Sequence, residues 1–410
     1  MGARTPARRP ACSQLLPTTV VGSYSVPEWL GQLKNDQYQR RISAQHLSEI
    51  HDVAIKAAVK DQELAGVDIV SDGELRRDND IDYLLARIPG IRIASRAKTD
   101  YYDYYDAEVT EPLPDPGSTG LGLAADLAFT RAHTDRLVKF SFTGPFSLSR
   151  RVRTGPGVDQ AELVRSLARL LNVEARELAA AGPTILQIDE PFLAGYPEQL
   201  ELAVQAVNLV TEGVDATWAL HVCYGNRHAR PLWEGHYDFL FPGVLAANVD
   251  QLVLEFARKG LDDLRLIGQY GWDRTVGLGV VDVKTSSVEP PEVVAARIRQ
   301  ALEFVPAERL IINPDCGLRH VPADAARAKL RAMVVGTAIV REEINKPALA
   351  VPADSRTVQA AGGTNDVRSM PHPASFARHT ADRDLLGIPA VLPGRQETAK
   401  RLALPGRPAC

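Results

Sequence analysis

The sequence predicts an α/β protein folded as a (β/α)8 TIM barrel, with an insertion after the second strand and a disordered C-terminal tail. Eight short apolar runs recur between residues 17 and 350, and each ends in a polar or glycine-rich turn. Helical patterns separate most of these runs, as expected for a parallel sheet. The polar clusters lie at the carboxyl ends of the runs, where barrel enzymes keep their active sites. An open, doubly wound sheet is the alternative architecture.

The predicted strands share short stretches of apolar and β-branched residues. They cover residues 18–23, 67–74, 138–145, 184–191, 217–225, 249–256, 275–283 and 309–317. The predicted helices show apolar residues at the three- and four-residue spacing of an amphipathic helix. They cover residues 43–64, 160–180, 197–211, 291–304 and 323–345. Gly66 is the predicted C-terminal cap of the first of these helices.

Three regions lie outside the strand and helix pattern. Residues 1–16 are predicted to be a flexible N-terminus before the barrel of residues 17–350. Residues 351–410 are predicted to be disordered, because Gly, Pro, Ser and Arg replace the helical periodicity there. The insertion at residues 95–137 contains Tyr101, Tyr102, Tyr104 and Tyr105. It is either a hairpin packed on the flank of the barrel or a lid over its mouth.

Composition excludes several classes of protein. The chain has 410 residues, is 45% hydrophobic and carries a formal net charge of -4, so nothing indicates binding to nucleic acid or to an anionic membrane. No apolar run approaches the ~18 residues of a transmembrane helix. Four cysteines in a chain of this length do not indicate a disulfide framework. A cytoplasmic location is therefore expected.

Four metal-ligating side chains stand at the ends of predicted strands. His221 and Cys223 are two residues apart on one strand, so their side chains point to the same side. Glu255 ends the sixth strand and Cys316 the eighth. In a barrel these strand ends surround one mouth, so the four groups can converge. Two thiolates, one imidazole and one carboxylate are a suitable ligand set for four-coordinate Zn²⁺.

The proposed ligand set also indicates a type of reaction. Taken alone, the pair His221 and Cys223 is more typical of a buried structural cysteine beside a hydrogen-bonded histidine. With Glu255 and Cys316 added, the metal site becomes the better interpretation. Two thiolates and a carboxylate leave the zinc centre with a net negative charge, so a water on it would be a poor nucleophile. A substrate thiol would be deprotonated by the metal and stay reactive. The sequence therefore favours alkyl transfer to sulfur over hydrolysis.

Other strand ends supply groups that could hold the substrates. Glu74 and Asp189 are candidate acceptors for an ammonium group, although either could simply stabilise a loop. Gly22 and Ser23 could offer contacts to a substrate carboxylate, and a tight turn is the competing explanation. Arg151 could hold an anionic part of a second substrate, or it could be a solvated surface arginine.

The motifs resemble the C-terminal catalytic half of cobalamin-independent methionine synthase. The matching segments are spread over residues 17–345 in the order of that family; they are TTVVGSY, SDGE, FTGPFSLS, QIDEPFL, HVCYGN, the glutamate of VLEF, LGVVDV and INPDCGL. The resemblance implies a (β/α)8 barrel with zinc on the four ligands named above. It also implies homocysteine binding by Ser23, Glu74 and Asp189. In that family the zinc-bound thiolate of homocysteine attacks the methyl group of a reduced folate, which gives methionine.

Three departures from the family pattern concern the methyl donor and the proton relay. The full-length enzyme has a large N-terminal half, whereas here the predicted barrel begins almost at once. Arg151 stands where the family has a tryptophan near the pterin. Lys284 stands where the family has the histidine of an Asp-Ile-His motif, and Asp282 keeps the aspartate, so these two are the candidate catalytic pair.

The donor is accordingly a 5-methyltetrahydrofolate-type compound or a methyl-corrinoid, with a corrinoid protein as a candidate partner. The alternative function is an epoxide:thiol transferase of the coenzyme M type, or another zinc-dependent thiol alkyltransferase. Glu74 and Asp189 favour an amino-acid thiol, because coenzyme M has no ammonium group. A zinc-stabilised barrel without activity and a decarboxylase of the uroporphyrinogen type are the remaining possibilities.

Overall fold

The computed structural model describes residue 12 and residues 14–93, 101–117 and 120–346. The tail predicted for residues 351–410 lies outside the described residues, as does most of the N-terminus predicted for residues 1–16. No helix among the described residues is both long enough and apolar enough to cross a membrane.

Seven parallel strands form the main sheet. In spatial order they are β1 (Ile69–Val70), β4 (Leu137–Thr143), β6 (Ile185–Asp189), β7 (Trp218–Val222), β8 (Gln251–Leu254), β9 (Thr275–Val281) and β10 (Leu310–Pro314). A smaller sheet contains β2 (Arg92–Ile93), β3 (Ala107–Val109) and β5 (Val152–Thr154). Consecutive strands of the main sheet are neighbours, as the right-handed crossover of a parallel barrel requires.

The first predicted strand closes the sheet into a barrel, but it is shorter than predicted. Thr18 forms a parallel bridge to Ile312 in β10, and Thr19 forms one to Ile69 in β1. These two bridges join the edge strands of the seven-stranded sheet, so residues 18–19 are the eighth strand position. The prediction of a continuous strand over residues 18–23 was too long. Among the described residues of this run, Thr18 bridges to one neighbouring strand and Thr19 to the other, and the pairing ends there.

The second predicted strand is also short, since side chains satisfy its backbone beyond Val70. The Gln62 side chain accepts a hydrogen bond from the backbone N–H of Ser71 at 3.0 Å. The Ser71 hydroxyl donates to the carbonyl of Gly22 at 2.7 Å. The chain can therefore leave the sheet at Ser71 without burying unsatisfied polar groups. This exit places the following loop at the barrel mouth.

Helices surround the barrel. In the described part of the chain they are α1 (Glu28–Tyr38), α2 (Ala44–Ala65), α3 (Asp82–Leu85), α4 (Leu123–Arg131), α5 (Pro145–Ser149), α6 (Gln160–Ala180), α7 (Leu200–Thr211), α8 (Arg265–Gln269), α9 (Pro291–Leu302) and α10 (Ala323–Asn345). Short 3₁₀ turns occupy Leu193–Gly195, Pro197–Gln199, Tyr237–Leu240, Gly243–Ala246, Asp262–Leu264 and Ala307–Arg309. The helix predicted from residue 197 therefore starts as a 3₁₀ turn.

The core has two parts. Inside the barrel, Val21, Ile69, Ile185, Ala219, Val253 and Ile311 form a separate apolar cluster. A larger cluster fills the layer between the strands and the helices. Burying a side chain such as Val, Leu or Ile contributes roughly 1.5–3 kcal/mol, so these layers hold the strand ends in place. The functional groups at the mouth therefore stand on a rigid frame.

The predicted insertion is anchored to α6 through one buried carboxylate. Glu174 of α6 is fully buried and accepts backbone N–H bonds from residues 121–124, which begin α4. A carboxylate at a helix N-terminus satisfies donors that would otherwise lack partners. The same insertion contributes β3 to the small sheet. It is therefore more than a simple hairpin on the barrel flank.

Candidate metal and substrate site

A cavity opens at the carboxyl ends of the barrel strands. It encloses about 710 Å³ when its open mouth is included. Its walls carry two kinds of functional group, a soft metal-ligating set and a set of carboxylates; the first is His221, Cys223 and Cys316, and the second is Glu74, Asp80 and Asp189. This size and this mixture are typical of a small-molecule site.

Three of the four predicted ligands converge. The ligand atoms of His221, Cys223 and Cys316 all lie within 4.8 Å of one another. The two Sγ atoms are 3.7 Å apart. Two sulfurs bound to one tetrahedral zinc at ~2.3 Å each would be separated by about 3.8 Å, so the thiol pair has the spacing that the metal requires.

The imidazole of His221 is oriented for the same purpose. Its Nδ1 N–H donates to the carbonyl of Val253 at 3.1 Å. Its Nε2 is buried and has no hydrogen-bond partner among the described residues. A backbone carbonyl on one ring nitrogen fixes the tautomer that leaves the other nitrogen free to bind a metal. The orphaned Nε2 atom is therefore explained by a metal ligand role.

The two thiols differ in acidity. Their mutual hydrogen bond holds the pKa of Cys316 well below its ordinary value, and the nearby His221 and Lys284 lower it further. The same hydrogen bond and burial raise the pKa of Cys223. The pKa of Cys316 is therefore shifted towards the thiolate, which is the form that binds zinc.

Glu255, the fourth predicted ligand, does not belong to the converging group. Its side chain is fully buried, and it accepts hydrogen bonds from Lys284 Nζ at 2.8 Å and from Arg258 Nη2 at 3.4 Å. Its backbone N–H donates to the Tyr237 hydroxyl at 3.0 Å. Asp315, next to Cys316, accepts N–H bonds from residues 256–258 and so ties the two ligand-bearing loops together.

Of the predicted catalytic pair, Lys284 lies near the metal-ligating group, and neither residue lines the cavity. Asp282 accepts the backbone N–H of Lys284 at 2.7 Å, which shapes the loop after β9. Burial alone would lower the pKa of Lys284, but Cys316 and Glu255 outweigh it, and the pKa is raised. Lys284 therefore carries a positive charge next to the thiols. The Asp282 carboxylate holds the backbone of the loop that carries Lys284.

Glu74 is held at the mouth by a hydroxyl and a guanidinium. Ser141 Oγ donates to Glu74 Oε1 at 2.7 Å, and Arg77 Nη1 lies 3.3 Å from the same oxygen. A Cβ atom at Gly22 would collide with both Glu74 and Ser141, so only glycine allows this approach. Ser23, the next residue, also lines the cavity.

Asp189 lines the same cavity from the end of β6. Gln187 Nε2 donates to its Oδ1 at 2.6 Å. Burial raises the pKa of Asp189 to about 7; His221 opposes this shift and Glu74 adds to it. Glu74 therefore disfavours the charged form of Asp189, and a cationic ligand between them would relieve this effect.

The tyrosine-rich insertion reaches the mouth of the cavity. Tyr102 and Tyr104 both line the cavity. The Arg151 guanidinium lies 4.3 Å from the ring centre of Tyr104, and the guanidinium of Arg227 lies 4.2 Å from it. Arg151 is not itself among the residues that line the cavity, so it reaches the mouth only through Tyr104.

Several cavity residues were not identified from the sequence. Asp80 accepts the Tyr104 hydroxyl at 2.9 Å, while Arg227, Arg319 and His320 add basic groups to the wall. Three of them lie close to a motif: Asp80 ends SDGELRRDND, Arg227 follows HVCYGN, and Arg319 follows PDCGL. Proximity to a motif was the available signal, but loop conformation decides which side chains face inward.

The fold and the site define a barrel enzyme that can hold a soft divalent metal next to a small-molecule cavity. Residues 16–338 match the family model described as the catalytic domain of cobalamin-independent synthase. The chain is 34% identical over 337 residues to a methionine synthase of Saccharolobus islandicus, covering 82% of this chain and 98% of that protein. It is 32% identical over 339 residues to one of Sulfurisphaera tokodaii, covering 80% and 94%.

A solved structure gives the same result. The B12-independent methionine synthase of Shewanella sp. W3-18-1, in complex with selenomethionine, superposes with a TM-score of 0.69 at 28% identity, covering 80% of this chain and 99% of that one. The chain therefore belongs to the cobalamin-independent methionine synthase family. Members of this family methylate homocysteine to methionine, and the resemblance inferred from the motifs is confirmed.

Proposed function

We propose that this chain is a zinc-dependent homocysteine S-methyltransferase. The observation that carries the proposal is the convergence of His221, Cys223 and Cys316 in one cavity with two carboxylates. Zinc bound there would act as a Lewis acid that keeps the substrate thiol deprotonated at neutral pH. A reducing compartment such as the cytoplasm would keep the thiol ligands available, and we propose that location.

His221, Cys223 and Cys316 would hold the metal, with Glu255 as the candidate fourth ligand. The spacing of the two sulfurs and the orphaned Nε2 of His221 support the first three assignments. Glu255 would have to exchange part of its contact with Lys284 for the metal. Lys284 stabilises negative charge on the thiols, and Asp282 positions the Lys284 backbone.

Glu74 and Asp189 are the proposed acceptors for the ammonium group of homocysteine, and Ser23 is the proposed donor to its carboxylate. All three line the cavity together with the thiols. Two carboxyl groups in a confined site favour a cationic partner, because Glu74 disfavours the charge on Asp189 and a cation would offset that effect. This supports an amino-acid thiol over coenzyme M, which offers no cation to them.

The methyl donor would enter past the tyrosine-rich insertion. Arg151 and Arg227 lie against Tyr104 at the mouth, which supports a role of Arg151 with an anionic part of the donor. A reduced folate with a glutamate tail and a methyl-corrinoid, delivered by a corrinoid protein, are the two donor classes we propose. The selenomethionine complex of the Shewanella relative is in keeping with a methionine-like product at this site.

The proposal is tested by mixing the zinc-loaded protein with homocysteine and a panel of methyl donors. The panel contains methyltetrahydrofolate with one and with three glutamates, methylcobalamin and a methyl-corrinoid protein. We expect methionine to form with at least one donor and to require zinc. Coenzyme M with an epoxide forms a separate arm. If product forms only in that arm, the function of the chain is the epoxide:thiol reaction and not homocysteine methylation.

Asp189→Asn tests the ammonium contact. A charge-assisted hydrogen bond contributes roughly 1.5–3 kcal/mol, so we expect the KM for homocysteine to rise roughly ten- to a hundredfold. Zinc content should stay unchanged, since Asp189 is outside the converging ligands. The matched acceptor is 4-mercaptobutyrate, which is homocysteine without its amine, and it should be affected much less. Equal losses of kcat/KM for both thiols would mean that Asp189 is structural.

A further inference from the structure

Lys139 is a buried charged residue that the proposed reaction does not use. It lies in β4 inside the barrel and is fully buried. Its Nζ donates to the carbonyl of Val20 and to Gln187 Oε1, both at 2.8 Å. In the part of the chain that the structure describes, it has no carboxylate within ion-pair distance. A buried ammonium group without a direct counter-charge is costly, so its presence needs an explanation.

Gln187 connects this lysine to the cavity. Lys139 Nζ donates to the Gln187 amide oxygen, so that oxygen faces Lys139 and the amide nitrogen faces away. That nitrogen donates to the carbonyl of Val21 at 2.9 Å and to Asp189 Oδ1 at 2.6 Å. Every partner of the amide agrees with this orientation. One fully buried amide therefore joins the buried Lys139 amine to the Asp189 carboxyl group.

The carboxyl group of Asp189 acts on Lys139 across this amide. Burial lowers the pKa of Lys139 to about 7, and Asp189 opposes that shift. Burial raises the pKa of Asp189 to about 7. Opposite charges in a low-dielectric interior favour each other's ionised form. The hydrogen bond from Gln187 Nε2 to Oδ1 fixes the orientation of the Asp189 carboxyl group, and an acceptor held in one orientation binds an ammonium group better than one that can rotate.

We propose that Lys139, acting through Gln187, is a positioning residue that fixes the Asp189 carboxyl group in the orientation that accepts the ammonium group of an amino-acid thiol. The proposal rests on the proposed function, because it concerns the same substrate contact. It makes the polar interior of the barrel responsible for part of the preference for thiols that carry an amine. Neither residue touches the substrate itself.

The chain offers a matched control at the same level of the barrel. Gln187 pairs in register with Ala219, and Ala219 pairs with Gln251 on the next strand. Gln251 is also buried, but its amide has no hydrogen-bond partner among the described residues. Gln251→Met therefore measures the general effect of replacing a buried glutamine in this layer, without touching the link to Asp189.

The experiment compares Lys139→Met, Gln187→Met and Gln251→Met in the zinc-loaded full chain. Dissociation constants for homocysteine and for 4-mercaptobutyrate are measured by titration calorimetry, so no methyl donor is needed. We expect Lys139→Met and Gln187→Met each to weaken homocysteine binding roughly tenfold, which corresponds to the loss of about one charge-assisted contact. Binding of 4-mercaptobutyrate should change by less than about twofold, and Gln251→Met should leave the ratio of the two constants unchanged.

A second measurement separates positioning from general damage. In an Asp189→Asn background, Lys139→Met should cause no further loss of homocysteine affinity, because its effect passes through Asp189. Equal weakening of both thiols, or additive losses in the double variant, would overturn the proposal. If Lys139→Met does not fold, as judged by circular dichroism, the same measurements on Gln187→Met alone test the proposal. If the unaltered protein does not prefer homocysteine to 4-mercaptobutyrate, the proposed acceptor is wrong and this inference is rejected with it.

Discussion

Cys316→Ser is expected to lose zinc and activity while the barrel stays folded. A serine hydroxyl keeps its proton at neutral pH, so it replaces a strong thiolate ligand with a weak one. We expect the zinc affinity to fall on the order of a hundredfold or more, because metal binding requires the deprotonated ligand. Cys316 stands at the mouth and does not belong to the apolar cluster inside the barrel. The thermal midpoint of the metal-free proteins should therefore change little.

The measurement is zinc content after dialysis against a chelator, together with a circular dichroism melting curve. Cys12→Ser is the matched control, since Cys12 is a free cysteine that does not belong to the metal-ligating group. It should retain zinc at the level of the unaltered protein. If Cys223→Ser and Cys316→Ser both retained zinc fully, the metal site assigned here would be wrong.

Gly22→Ala is expected to disable the substrate site without removing the metal. The added Cβ would overlap Glu74 Oε1 and Ser141 Oγ, which are hydrogen-bonded to each other at 2.7 Å. The backbone of Ser141 is fixed in the barrel strand β4, so the Glu74 side chain is the one that has to move. Overpacking of this kind costs roughly 1–3 kcal/mol, and the displaced carboxylate also loses its contact with the substrate amine. We expect kcat/KM for homocysteine to fall on the order of a hundredfold.

Gly268→Ala is the control for this substitution, because a Cβ there has no atom within 4 Å. It should leave kcat/KM and zinc content unchanged. Zinc content of Gly22→Ala should also match the unaltered protein, since the ligands come from other strands. Normal kinetics in Gly22→Ala would show that Glu74 can move freely, and its assignment to the ammonium group would then be withdrawn.

Helix boundaries were the part of the fold that local sequence signals predicted best. Ser43 caps α2 by accepting the N–H of His46 at 3.1 Å, and Gly66 ends it with a φ of 88°. Both interactions lie within a few residues, so the signal is contained in the sequence around each end. The bounds of α6 and α10 also agree with the predicted segments.

Strand lengths were predicted less well, because a strand exists only where a neighbour pairs with it. The run from Thr18 gives two bridges, and the run from Val67 gives only Ile69–Val70. The apolar residues of these runs indicate burial in the barrel. Burial restricts the length of a strand less than pairing with a neighbouring strand does. The second of these strands ends at Val70 because Ser71 binds the Gln62 side chain and the Gly22 carbonyl in place of a neighbouring strand.

The sequence by itself determined the family, the barrel and the metal-ligating types. His221 and Cys223 face the same way because strand side chains alternate, and parallel strands bring Cys316 to the same mouth. Only the tertiary structure decided that Glu255 pairs with Lys284 and that Arg227 faces the cavity. Side chains from different loops meet through long-range packing, and the spacing of residues along the chain carries no record of those distances.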